Sequence, residues 1–291
     1  MPDKPGKGED SMPGHLRSYP LGQAMLTVIN VGDSLWNLGD ELALPPEARA
    51  DYPAIFERRP FPSQCVHIAL PGASLLVDAS RYTAAPGSGE FPPGYSTPPS
   101  LVESLASIGV APDDITHVVI THPHWDHING LAVERDGVHM PRFPRARHLL
   151  GRADWEQAEM RTALGDPTSL ESRTLGIVDT AGLLELVDGE RELTAGVRII
   201  AAPGETPGHQ MLRVESEGAV AYCLGDLVHS DTEIEHPDWA PTWADGELLA
   251  ASRHALTEAA LVERALLVAA HIAGAGRLVL ADGGRVRWVA E

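Results

Sequence analysis

Apolar positions along the chain alternate in short runs, broken by Gly and Pro, and only two stretches show a clear helical rhythm. Ala24-Met25-Leu26-Thr27-Val28-Ile29 reads as a first strand over 23–31, and 64–70 and 74–78 read as two more, joined by the turn signal Pro71-Gly72. Residues 32–60 are irregular, with a short helix near Pro46–Phe56, and Trp36 is read as core or a subunit contact. Nothing is periodic in 80–98, which holds Tyr82, Pro86, Phe91, Pro92, Pro93 and Tyr95; a loop of that length in a compact domain is a candidate functional rim. A helix over 99–109 stops at Gly109 and leads to a β-branched strand, 116–120. A strand near 146–150, a helix over 152–164 and an ambiguous segment, 165–182, read as a second helix interrupted near Gly176, come next. Residues 184–187, 191–194 and 197–201 alternate like strands, and 210–215 with 219–224 form a hairpin about Glu217-Gly218. After an irregular stretch, 227–244, Leu248, Leu249, Ser252, Ala255, Leu256 and Ala259 mark an amphipathic helix. Strands at 265–269, 277–281 and 285–289 close the chain.

The strands fall into two clusters, 23–78 plus 116–150 and 184–225 plus 265–289, each followed by helices. Two sheets face to face with helices outside bury such a pattern, an α/β sandwich. The Pro-, Gly- and charge-rich residues 1–20 are expected to be a disordered tail, and 21–291 one domain.

Charge changes the picture of what the chain can bind. Lys+Arg 22 against Asp+Glu 41 gives a formal net charge of −19. Such a surface repels phosphate backbones and anionic membranes, so neither nucleic acid nor membrane is expected as a partner. A small-molecule substrate is expected, and a homodimer is left open. Cys65 and Cys223 lie in apolar runs and read as buried free thiols. The N-terminus lacks an apolar signal core and no stretch reaches membrane-span length, so a soluble cytoplasmic protein is expected.

The chemistry concentrates in Thr121-His122-Pro123-His124-Trp125-Asp126-His127-Ile128-Asn129-Gly130, at the end of the 116–120 strand. In an extended chain residues i and i+2 face the same side, so His122 and His124 can converge on one cation. Pro123 disfavours helix for the residue before it. Asn129-Gly130 turns the chain, so that Asp126 and His127 can point away and supply a second cation. Imidazole with carboxylate suits zinc and its first-row neighbours.

This stretch resembles the His-x-His-x-Asp-His signature of the metallo-β-lactamase-fold hydrolases. Further motifs similar to that family's follow in order over residues 60–275: Thr206-Pro207-Gly208-His209, Gly225-Asp226 and Val268-Ala269-Ala270-His271, with Asp78 matching an early aspartate that supports the site from behind the ligands. The stretch Gly225-Asp226-Leu227-Val228-His229 and the C-terminal run from His271 to Val289 look most similar to the methyl-parathion-hydrolase-like and lactonase-like branch. The resemblance implies an αββα sandwich of two mixed sheets. It implies one metal on His122, His124 and His209, a second on Asp126, His127 and His271, and Asp226 as the bridge. Two divalent ions per chain are expected, zinc first, with manganese, iron or cobalt as alternatives. Metals in such pairs lie about 3.5–4 Å apart and lower the pKa of bound water to about 7, so that a bridging hydroxide is the nucleophile.

Asp126 and Asp226 are therefore the expected catalytic carboxylates. His229 joins them, standing where lactonase relatives carry a catalytic tyrosine, as a substrate-binding or proton-donating group. Trp125, Trp239 and Trp243 are candidate pocket walls. The implied activity is hydrolysis of an ester, lactone or phosphotriester bond in a small, partly apolar substrate. Glyoxalase II-type thioester hydrolysis, oxygen chemistry at a di-iron site and a non-catalytic metal-binding sensor are the alternatives.

Overall fold

Alternation along the longest strands sends successive side chains to two different cores, and the architecture follows from that. The computed structural model describes residues 14–81 and 95–291. In chain order the strands are Leu16–Leu21 (β1), Ala24–Trp36 (β2), Arg59–Leu70 (β3), Ala73–Val77 (β4) and His117–Val119 (β5), then the hairpin Ala132–Arg135 (β6) and Val138–Pro141 (β7), then Arg147–Gly151 (β8) and Leu184–Val187 (β9). Arg191–Thr194 (β10), Val197–Ala201 (β11), Gln210–Ser216 (β12), Ala219–Cys223 (β13), Leu266–Val268 (β14), Gly276–Leu280 (β15) and Val286–Ala290 (β16) complete them.

One sheet has the order β1-β2-β3-β4-β5-β8-β9 and the other runs β10 to β16 in sequence order. Both are mixed: β4, β5, β8 and β9 pair in parallel, as do β13 and β14, and the rest pair antiparallel. On β2, Leu26 and Val28 meet Val66, Ile68 and Leu75 of their own sheet and Ile199, Leu212 and Val214 of the other, the core between the sheets. Ile29 and Val31 point the opposite way, onto Leu101 and Leu105 of the helix Leu101–Ser107 and onto Leu175 and Val178. The second sheet turns Met211, Tyr222 and Leu267 outward onto Leu249, Leu256 and Ala260 of the helix Gly246–Glu263. The result is the αββα sandwich. Each buried CH₂ contributes about 0.8 kcal/mol, so these three apolar layers dominate stability.

The structure departs from the sequence-based expectation at several places. The tail expected over 1–20 joins the first sheet from Leu16; its Pro20 is tolerated because β1 is an edge strand, where a missing N–H breaks no ladder. β2 runs on to Trp36 and β3 begins at Arg59; Pro60 and Pro62 fit because β4 reaches β3 only from Val66 onward, leaving their outer side unpaired. Residues 184–187 belong to the first sheet, beside β8, because the helices between them return the chain to the same edge. The helix expected over 152–164 is two, Arg152–Trp155 and Ala158–Gly165. The next break falls at Thr174, between Leu170–Arg173 and Leu175–Thr180, where the backbone leaves helical angles. β6 and β7 were not expected, although Asp136-Gly137 carries the positive φ pair of a tight hairpin turn. A helical turn, Thr232–Glu235, interrupts the irregular stretch 227–244. Of the loop read as a functional rim, 82–94 lie outside the described residues. Cys65 and Cys223 are buried and free. Among the described residues no helix is long and apolar enough to cross a membrane.

Two buried glutamines tie the sheets together at the end where the strands deliver the site. Gln64 on β3 donates to Ala269 O (2.8 Å) and Ile272 O (2.7 Å) and accepts from Gly274 N–H (2.7 Å) across the sandwich. Gln210 on β12 donates to Ile120 O (2.8 Å) and Leu149 O (3.0 Å) in the opposite direction. Replacing Gln64 by Leu strands three backbone groups and should lower unfolding free energy by roughly 2–5 kcal/mol. Gln210→Leu should cost less, because Leu149 O keeps the Ile120 N–H at 2.9 Å. Urea denaturation of the two variants side by side measures the order.

Candidate metal centre

Four segments bring the site together at one end of the sandwich, each just past a strand. After β5 the chain stays extended through His124 (φ −66°, ψ 152°), then turns helical over Trp125–Ile128. The extended part sends His122 and His124 one way, and the helical turn swings Asp126 and His127 another. His209 follows the loop after β11, Asp226 the end of β13 and His271 the end of β14. Gly225 holds a left-handed φ of +55°, and a Cβ there would collide with Thr121 and with His209 Nε2. That glycine lets Asp226 approach the histidines.

The donor atoms form two groups. His122, His124, Glu205 and Asp226 offer atoms that all lie within 4.8 Å of one another, and so do Asp126, His127 and His271. Asp226 faces both: its Oδ2 lies 3.7 Å from His122 Nε2, and its Oδ1 lies 3.2 Å from both His127 Nε2 and His271 Nε2. Asp126 Oδ2 is 3.4 Å from His271 Nε2 and 3.8 Å from His127 Nε2. His122 Nε2, His127 Nε2, Asp226 Oδ1 and Glu205 Oε2 are buried without a hydrogen-bond partner. Buried polar atoms are almost always paired, so these converging, unpaired donors fit divalent ions of the zinc class. His209 stands beside His122, ring centroids 5.2 Å apart, but its Nε2 accepts the Asp226 backbone N–H at 3.2 Å and it is in neither group.

The opposite ring nitrogens are pinned, which sets the tautomers. His127 Nδ1 donates to Asp78 Oδ2 (2.8 Å), His271 Nδ1 to Pro62 O (2.7 Å) and His209 Nδ1 to Ala202 O (3.0 Å). In the neutral ring each such bond leaves a lone pair on Nε2. Asp78 also accepts from Thr121 N–H (2.8 Å) and Thr121 Oγ1 (2.9 Å), and takes a left-handed φ of 59° to reach them.

Burial drives His122 well below the usual histidine range and His209 down to about 3, so both rings are neutral and ready to ligate. Burial also opposes charge on His127, yet Asp226, Asp126 and Asp78 around it hold its pKa well above the ordinary value. Desolvation would raise Asp226, but the facing His127 and His271 hold it far below the carboxylate range.

His229 is buried, not solvated. Its Nε2 lies 3.5 Å from Asp226 Oδ2, and its Nδ1 faces Glu233 Oε1 at 3.4 Å. Glu233 accepts the backbone N–H of His229 and of Ser230, both at 2.7 Å, and pairs with the buried Arg253 at 2.5 Å. Arg253 and His229 pull Glu233 down to about 2 against its burial. A cavity of about 240 Å³ runs from His229 and His271 past Trp36, Phe61, Leu38 and Ile55. Trp36 is thus a wall of the site. Trp243 stacks with Trp36 (6.2 Å, 16°) and meets the rings of His124 and His229. Trp239 packs instead on Tyr52 and His236, in the apolar cluster that backs Leu38 and Ile55 of the cavity wall, and Trp125 is 57% exposed.

Three acidic residues at the site escaped the sequence reading: Glu205, Glu233 and Asp154. Asp154 holds the loop that carries His209, accepting from Gly208 N–H (2.7 Å) and Thr206 Oγ1 (2.9 Å). Its only sequence signal is its place after a strand; the pairing lies 52 and 54 residues away.

Residues 58–276 match the family model of the metallo-beta-lactamase superfamily, and the chain belongs to that superfamily. It is similar to the N-acyl homoserine lactonase of Bacillus cereus, 24% identical over 184 residues, covering 63% of this chain and 66% of the lactonase. The chain thus spans just under two thirds of the length of the curated relatives it matches first. Among solved structures it is similar to the hydrolase AbOPH of the beta-lactamase superfamily (TM-score 0.74, 18% identity, 97% of this chain and 99% of that one). It is also similar to AidC, a dizinc quorum-quenching lactonase in complex with a product (TM-score 0.73, 21% identity, 95% and 97%).

Burial raises Asp154 from 3.8 to about 6, against its hydrogen bonds. With the folded pKa above the unfolded one, its contribution is full below about 4 and is lost as pH rises through about 6. Asp154→Asn cannot ionise. The stability difference between wild type and this variant should therefore shift by about 3 kcal/mol across that window. Paired melting curves at each pH would show it; a flat difference would place the ionisation elsewhere.

Proposed function

We propose that this chain is a metal-dependent hydrolase with a dinuclear centre, opening an ester, lactone or phosphotriester bond in a small, partly apolar substrate. The observation that carries the reading is Asp226, whose two carboxylate oxygens face two separate groups of donors, several of them buried and unpaired. His122, His124, His209 and Asp226 would hold one ion, and Asp126, His127, His271 and Asp226 the other. His209 would exchange its bond from the Asp226 N–H for the ion. Bound ions supply Lewis acidity and a water acidic enough to attack near neutral pH.

The remaining work falls to the chain. Trp36, Phe61 and Ile55 offer an apolar wall to the part of the substrate that does not react, and the cavity's modest volume suits a small molecule. A net charge of −19 disfavours polyanions. His229, held at Nδ1 by Glu233, presents Nε2–H toward Asp226 and the reacting centre, placed to donate to the leaving oxygen. Lactones stand first among the three bond types, because the lactonase relatives and AidC share this fold.

Elemental analysis of the purified protein should return two first-row metal ions per chain, and chelation should abolish turnover of a lactone and ester panel. Full activity with one tightly held ion would sink the dinuclear reading. Asp226→Ala should lose metal affinity by at least roughly 10–100-fold while the sheets still fold. His229→Ala should slow alkyl esters and lactones by about 10²–10⁴-fold, far more than nitrophenyl esters whose leaving group needs no proton. An equal loss on both substrate types would make His229 a binding residue instead.

A further inference from the structure

Glu205 lies in the loop after β11, four residues before His209, and its side chain is fully buried. Its Oε1 accepts the indole N–H of Trp243 at 2.6 Å and lies 3.4 Å from His124 Nδ1 and 3.9 Å from His229 Nε2. Its Oε2 has no partner. No Lys or Arg pairs with it among the described ion pairs, so among the described residues one indole and two imidazole rings are what face its buried carboxylate. A carboxylate without a counter-charge in such a place is costly. It stays ionised only if something positive completes the site; otherwise it must hold a proton.

Its position indicates what that is. Glu205 shares one donor group with His122, His124 and Asp226, where the sequence motifs alone would put His209. The loop is anchored on both sides, by Asp245 N–H on Gly204 O (2.8 Å) and by Thr206 Oγ1 on Asp154 (2.9 Å), so the carboxylate is held at the site and does not swing into it. Trp243 fixes Oε1, the oxygen that also faces His124 and His229, and Oε2 is buried and unpaired.

We propose that Glu205 is a carboxylate ligand of the ion held by His122, His124 and Asp226. The inference rests on the dinuclear reading and adds to it a donor from outside the His-x-His-x-Asp-His, His209, Asp226 and His271 pattern. It also has a consequence for metal choice. An extra hard oxygen raises the coordination number and suits manganese and cobalt better than a four-coordinate, imidazole-rich site does.

The test uses full-length metal-free protein loaded with Co²⁺, and separately with Mn²⁺ and Zn²⁺. Wild type, Glu205→Gln and Trp243→Phe are compared by chelator competition, visible absorption of the cobalt form and circular dichroism. Glu205→Gln keeps an acceptor for the Trp243 indole, so its fold should be unchanged. It should bind one of its two ions at least roughly tenfold less tightly, with a larger loss for Mn²⁺ than for Zn²⁺. Its cobalt absorption should intensify as a ligand is lost. Trp243→Phe should stay within about twofold of wild type in affinity, since it removes only a neighbour of the ligand. Two ions in wild type, with affinity and cobalt spectrum unchanged in Glu205→Gln, would overturn the assignment and leave the dinuclear reading intact. One ion in wild type, weakened in Glu205→Gln, would do the reverse. No metal bound by wild type would overturn both.

Discussion

Buried donors that have no partner in the chain are the constraint on which the rest depends. His122 Nε2, His127 Nε2, Asp226 Oδ1 and Glu205 Oε2 face inward at one end of the sandwich, and none has a hydrogen bond. Several kcal/mol of desolvation attach to each ionised group so placed, and rings and carboxylates cannot all satisfy one another at separations of 3.2–3.8 Å. The fold accepts that cost only because the donors sit on short segments past strand ends, with three apolar layers beneath them. A bound divalent ion would convert the cost into binding energy and link folding to metal loading.

Rigidity reaches the donors by specific routes. The two sheets are cross-tied by Gln64 and Gln210 next to the loops that deliver His271 and His209. Behind the ligands, Asp78 gathers His127 and Thr121, Pro62 O takes His271, and Ala202 O takes His209. Gly151 and Gly208 touch backbone to backbone, and a Cβ at Gly151 would drive the His209 loop off its seat. A ring whose far nitrogen is fixed loses little entropy when a metal arrives at the near one.

What could be read from the sequence was local. His122 to His127 carry their geometry in their spacing, because an extended stretch before a helical turn aims side chains in two directions. The grouping of strands into two clusters was enough to place two sheets face to face. Allocation of β9 was not legible, since residues 184–187 alternate no differently from 197–201 and only the helical return fixes their neighbour. Glu205, Asp154 and the Glu233–Arg253 pair were invisible for the same reason: their partners are long-range, and an isolated acid in a loop looks like solvated surface. Trp36 and Trp239 exchanged roles. β2 extends past its apolar run and carries Trp36 to the site, while Trp239 turns inward onto Tyr52 and His236.

The two donor groups are reached from different sides. His127, His271 and His122 are buried, whereas the His124 side chain is 36% exposed beneath the half-exposed Trp243. The cavity walled by Trp36 and Phe61 opens on His271 and His229 from the other side. Under the proposed function a substrate's apolar part would lie along Trp36 and Phe61, with its reacting bond toward His229 and His271, which line the cavity and face Asp226 at 3.5 and 3.2 Å. Glu233 and Arg253 behind His229 form a buried ion pair: Glu233 holds that ring and the Ser230 turn in place, and Arg253 donates to the carbonyls of Leu227, Pro237 and Trp239. A buried pair is weak evidence for stability, since apolar side chains of similar volume often do as well. Here its yield is positional: through Glu233 and Arg253 the His229 turn, the 237–239 segment and the helix Gly246–Glu263 are tied to one another.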